Sequence, residues 1–74
     1  MFRQPMESIT KYEIKKSIHG YTLESVVHTL YDDMSTQVFR NYVAHHPDDL
    51  HFLKRLALKL TPDAEVKIPR DYWP

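Results

Sequence analysis

The chain has 74 residues, ten acidic and ten basic side chains, no cysteine and a single glycine. A chain this short is one domain and buries only about 60% of the surface its unfolded state exposes. Disulfides and thiolate metal sites are excluded, so a compact core or self-association must supply the stability; the scarcity of glycine also disfavours phosphate-cradling loops and tight β-hairpins.

The hydrophobic share of 42% argues against disorder. No apolar run approaches the roughly 18 residues of a membrane span, and the N-terminus lacks the apolar core of a signal peptide. The expectation is a cytoplasmic protein.

In chain order, residues 1–7 read as a loose N-terminal arm around Pro5. Residues 8–18, SITKYEIKKSI, admit two readings. Tyr12 and Ile14 alternate with charge, as on a strand. Ile14 and Ile18 lie one helical turn apart, and a stop at His19-Gly20 favours a short helix. From Thr22 a helix is expected: Thr22 can cap it, Glu24 suits its first turn, and Leu23, Val26, Val27, Leu30 and Tyr31 follow the period of a buried helical face.

The stretch DMSTQVFRNYVAHH (33–46) also has two readings. One long helix could run from about Thr22 to His46. Alternatively, a break near Asp33–Ser35 could let Ser35 cap a new helix with Val38, Phe39, Tyr42 and Val43 on its apolar face, giving helix–turn–helix. The poor helix formers of DDMST favour the break. Asp48 and Asp49 then begin a helix whose Leu50, Leu53, Leu56, Ala57 and Leu60 share one face. Residues 61–74 form an extended tail rich in proline and aromatics, with a short alternating stretch at Ala64, Val66 and Ile68.

Few constellations could carry chemistry. His45, His46 and His51 stand near Asp48 and Asp49, but Pro47 interrupts them and no HExxH pattern is present. They read as solvated helix-end histidines, so no metal and no cofactor is expected. No serine lies in a nucleophile elbow, and the chain is short for an enclosed substrate pocket, so no enzyme is expected. In the new helix, Gln37, Arg40 and Asn41 would share an exposed face, with side chains of the type that read base edges in the major groove. Lys54, Arg55 and Lys59 could then hold phosphates. In the tail, Tyr72 and Trp73 beside Arg70 have the composition of a partner-binding anchor.

IHGYTLESVVHTL (18–30), His46-Pro47-Asp48 and HFLKRL (51–56) together resemble a small bacterial family of conserved proteins. Its members carry a His-Gly-x-Thr-Leu-Glu opening and a later helix containing Phe-Leu-Arg. The segment between the two motifs is shorter here, and the family's Thr-Pro-Trp-Ala block appears only as TPDA (61–64). The resemblance implies a compact α-helical fold of helix–turn–helix character that binds DNA through Lys54, Arg55 and the preceding helix. MSTQVFRNYV (34–43) separately resembles recognition helices of phage-type regulators.

The sequence therefore predicts an all-α domain of three to four helices, helix–turn–helix-like, with an extended C-terminal tail. Its expected core is Ile14, Ile18, Leu23, Val26, Val27, Leu30, Val38, Phe39, Tyr42, Leu50, Leu53, Leu56, Ala57 and Leu60, with Trp73 as a candidate lid. The expected role is a small bacterial or phage regulator of transcription that binds DNA. The alternative is a protein-interaction module using acidic and aromatic surfaces. A homodimer would supplement the small core.

Overall fold

The computed structural model describes residues 3–69 and shows a β-sheet, not a helical bundle. Three long strands run as a meander: β1 (Pro5–Ser17), β2 (Gly20–Tyr31) and β3 (Thr36–His46). One helix follows, α1 (Leu50–Leu60), and then a two-residue strand, β4 (Val66–Lys67). The sheet order is β3-β2-β1-β4. The meander is antiparallel, and β4 joins β1 in parallel at Tyr12 and Glu13.

The all-α expectation is overturned, and the helix–turn–helix with it. The helices expected over 8–18, from Thr22 and from Ser35 are β1, β2 and β3. The physical reason is clearest in β2. It is the central strand between β1 and β3; α1 packs on its Leu23 face, and Val26 is also buried on the opposite face, so both faces carry apolar side chains. Leu23 and Val27 lie on one face, Val26 and Leu30 on the other. An apolar residue on each face in turn reproduces the i, i+3, i+4, i+7 pattern of a helix. The β-branched and aromatic residues of β2 and β3 then favour the strand.

The turns follow the same logic. Gly20 sits at φ +118°, opening β2 after the tip Ile18-His19 instead of closing a helix. A Cβ there would stand 2.6 Å from Pro47 Cα and 2.6 Å from Pro47 O, so glycine is also needed for close approach. The break expected near Asp33–Ser35 exists, but it joins two strands. Met34 N–H donates to Tyr31 O at 3.0 Å, Tyr31 N–H donates to Ser35 O at 2.9 Å, and Met34 takes φ 68°. This is a three-residue hairpin loop ending in a left-handed residue. Asp33 secures it by accepting from Ser35 N–H at 3.0 Å. Pro5 is not part of a loose arm: it opens β1, the strand position where its missing N–H is tolerated.

Helix α1 forms where the sequence places it. Asp49 caps it by accepting from Phe52 N–H at 3.2 Å. Its Leu50, Leu53 and Ala57 cover one end of one sheet face, burying Tyr12, Ile14 and Leu23. Tyr21, Val43, Ala44, Leu56, Ala64, Val66 and Ile68 pack around this cluster. Tyr12 hydroxyl and Thr61 Oγ1 are 2.8 Å apart, tying the sheet to the helix end. The predicted core is corrected accordingly. Ile18 is 94% exposed at the hairpin tip, and Val38, Phe39, Tyr42 and Leu60 are exposed. Tyr12, absent from the predicted core, is buried.

Candidate functional site

The molecule measures 47 × 23 × 21 Å because the sheet extends well beyond the helix. The covered end holds the hydrophobic cluster. The open end comprises residues 5–11 of β1, 26–31 of β2 and 36–42 of β3. Val26 and Thr29 are its buried side chains. Thr29 is satisfied by Ser8, their hydroxyls 3.2 Å apart.

The two outer edges of this open end differ. On β1, β4 pairs only with Tyr12 and Glu13, so among the described residues, positions 5–11 have no neighbouring strand on that side. That stretch carries Pro5, Glu7 and Lys11, which discourage further pairing. On β3, among the described residues, no strand pairs with the outer edge along its whole length. Its segment Thr36–Tyr42, TQVFRNY, contains no proline and one charge. All seven residues are exposed, with Val38 at 50%, Phe39 at 45% and Tyr42 at 68%.

Hydrogen-bond alternation fixes which backbone groups look outward. The Tyr31–Ser35 bond sets the phase of the β2–β3 ladder. Gln37, Phe39 and Asn41 therefore bond inward to β2, while the N–H and C=O of Thr36, Val38, Arg40 and Tyr42 point to the free edge. The regular segment is bounded on one side by the turn and on the other by a bulge. The register shifts between Leu23 and Glu24, which face Ala44 and Tyr42 and leave Val43 as the extra residue.

The expected DNA-reading residues lie on this strand but do not share a face. Gln37 and Asn41 pair with Thr29 and Ser25, on the face that carries α1 farther along. Gln37 Oε1 accepts from the Tyr31 hydroxyl at 3.0 Å. Arg40 pairs with Val26 and projects from the opposite face. There its Nη1 donates to Glu13 Oε1 at 2.6 Å and to Glu24 Oε1 at 3.4 Å. Lys15 reaches Glu24 at 3.3 Å, Lys67 reaches Glu13 at 3.8 Å, and Lys11 reaches Glu65 at 3.3 Å. The Arg40 hydrogen bond holds the Glu13 carboxyl below its usual range against opposing desolvation, with the nearby cations adding to the effect. The same bond raises the Arg40 guanidinium. This network occupies Arg40 and balances its charge within the sheet.

Lys54, Arg55 and Lys59 are on α1, not beside a recognition helix. Arg55 and Lys59 line a shallow hollow of about 250 Å³ with Phe52 and Leu56. The histidines build the β3–α1 junction. His45 Nε2 lies 2.9 Å from His19 O, and His46 Nδ1 accepts from Asp49 N–H at 2.9 Å while its ring tilts against Phe52 at 5.1 Å. Among the described residues, no group of three or more histidine or acidic side chains is placed to hold a metal ion, and no helix is long and apolar enough to cross a membrane. Tyr72 and Trp73 lie outside the described residues.

Comparison of the chain with family models, with curated proteins and with solved structures finds no match. The exposed edge residues that the helical reading missed are Val38, Phe39 and Tyr42, which it assigned to the core. Their signal was available as a run of β-formers without proline or balanced charge, but it becomes legible only once the segment is known to be an edge strand.

Proposed function

We propose that the protein is a protein-interaction module that acts by continuing its sheet: the free edge of β3 accepts another polypeptide strand. The observation that carries this reading is the Thr36–Tyr42 edge itself. It is regular and exposed, unpaired among the described residues, with apolar side chains on both faces. Edges of this kind are templates for strand addition, in which outward backbone groups give affinity and alternate side chains give specificity. The edge lacks the lysines, prolines and bulges that other edges use to prevent pairing, until the bulge at Val43.

DNA binding has less support. It needed Gln37, Arg40 and Asn41 on one helical face, and the strand divides them between two faces. The zero net charge gives no general attraction for phosphates. The absence of cysteine fits action in a reducing compartment such as the cytoplasm.

The test uses tagged protein as bait, in source-cell lysate and with untagged copies of the same chain added. The variant is Val38→Lys, which places a charge on the edge without removing a buried group. Retention of a polypeptide by the wild type, its own copy included, and loss in Val38→Lys is the expected result. Equal retention by both would overturn the edge as the working surface. Salt-sensitive capture of duplex DNA unaffected by the substitution would move the function to a nucleic-acid surface.

A further inference from the structure

Resting on the sheet-continuation reading, we propose that the occupant of the β3 edge is a second copy of this chain, paired antiparallel about a two-fold axis through Phe39. Three observations lead there.

The first is geometric. The pairable segment runs from Thr36, just after the hairpin loop, to Tyr42, just before the bulge. A two-fold axis perpendicular to the sheet keeps each face continuous, so opposed residues must share a face. Centring the axis on Phe39 is the register that pairs the whole segment. It sets Thr36 against Tyr42, Gln37 against Asn41 and Val38 against Arg40, and each member of a pair lies on the same face as its partner. Val38 and Arg40 both direct their backbone groups outward, so they form hydrogen-bonded pairs across the junction. Phe39 meets its symmetry mate as a non-hydrogen-bonded pair, the closer of the two spacings.

The second is charge. Moving the axis by one residue to Arg40 would place two guanidinium groups directly opposite, which is destabilising. In the Phe39 register each Arg40 instead faces Val38, and its charge stays balanced by Glu13 and Glu24 of its own chain. Gln37 faces Asn41, an amide pair able to bond across the strands. Phe39 covers its own copy, which shields an aromatic that the monomer leaves 45% exposed.

The third is size. Among the described residues, the buried cluster comprises six residues at one end of the sheet, and the open end has no helix over either face. Small domains commonly complete such cores by association. The paired sheets would double the strand count and remove the long free edge from each copy.

A cysteine scan tests both the occupant and the register, because the chain has no cysteine of its own. Non-hydrogen-bonded antiparallel pairs hold their Cα atoms about 4.5 Å apart, within disulfide range. Phe39→Cys is therefore expected to oxidise to a covalent dimer, while Val38→Cys and Arg40→Cys, two positions out of register with their own symmetry mates, are not. Sedimentation velocity of the cysteine-free wild type should show a dimer that Val38→Lys converts to monomer, because the new lysine would face the partner copy's arginine. Circular dichroism confirms that each variant keeps its sheet. A wild type that stays monomeric at millimolar concentration would overturn the proposal, as would preferential cross-linking through position 38 or 40. If the purified chain is monomeric but Val38→Lys still abolishes capture of another polypeptide, the edge reading stands and the second copy is the wrong occupant. If neither association nor capture responds, both fail.

Discussion

The two ends of the sheet are made from the same three strands, yet they are stabilised differently. At the covered end Leu53 of α1 is 0% exposed and seals Tyr12, Ile14 and Leu23 against the sheet. At the open end the strands are held by their ladders, by hydroxyl pairs such as Ser8–Thr29, and by ion pairs around Arg40. One end is sealed by its own helix, and the other presents an unpaired edge. On the proposed reading, the fold is secured at one end and the binding surface lies at the other. Stability and the proposed strand pairing are therefore expected to respond to different substitutions.

The strongest way to break this contrast is to remove packing from each end in turn. Leu53→Ala deletes a fully buried side chain and is expected to cost about 2–5 kcal/mol. Ile9→Ala, at a half-exposed position of the open end, is expected to cost about 1 kcal/mol or less. Urea unfolding of the two variants measures the difference directly. Similar costs would mean that the open end contributes a core of its own.

A smaller effect is expected at the junction that fixes the covered end. Gly20→Ala combines a positive φ with a clash against Pro47 backbone, and strain of this kind costs about 1–3 kcal/mol. Thermal melts should register it as a lowered midpoint. A neutral outcome would show that the hairpin and the turn before α1 can shift apart without loss.

The smallest expected effect concerns the charges behind the edge. The Glu13 carboxyl is depressed in the folded state, chiefly by its hydrogen bond from Arg40. A depressed carboxylate stabilises the fold above its unfolded value, and this contribution is lost as pH falls through the lower folded value. Stability should therefore decline on acidification below the usual carboxylate range, and Glu13→Gln should flatten that decline. Asp33, lowered mainly by its Ser35 hydrogen bond, titrates in the same direction and will leave part of the slope in place. An unchanged acid profile in Glu13→Gln would detach the Arg40 network from stability.

Parts of this arrangement were legible in the residues. The helix over 50–60, its start at Asp48-Asp49 and the burial of Leu50, Leu53 and Ala57 on its expected face follow from local rules and are observed, while Leu60 of that face is exposed. The short extended stretch at Val66 and the break near Asp33–Ser35 were also readable, since turn-forming residues and flanking prolines act locally. Ile14, Leu23 and Val26 are buried as either a helical or a strand reading would require. Of the candidate site residues, the sequence marked Arg40 as chemically notable, but not that its charge would be engaged by Glu13 and Glu24 from two other strands.

The sequence by itself determined where α1 forms and which side chains are apolar enough to be buried; local rules read Gly20 as a helix stop and left the break near Asp33–Ser35 open against one long helix. Only the tertiary structure decided that the apolar periodicity of 22–31 belongs to a central strand, because a strand with apolar residues on both faces and a one-sided helix produce the same pattern. The tertiary structure also decided that Val38, Phe39 and Tyr42 lie on an edge instead of in a core. Exposure of an edge depends on which strands pair, and pairing joins residues far apart in the chain, such as Glu13 with Arg40, that no local rule connects.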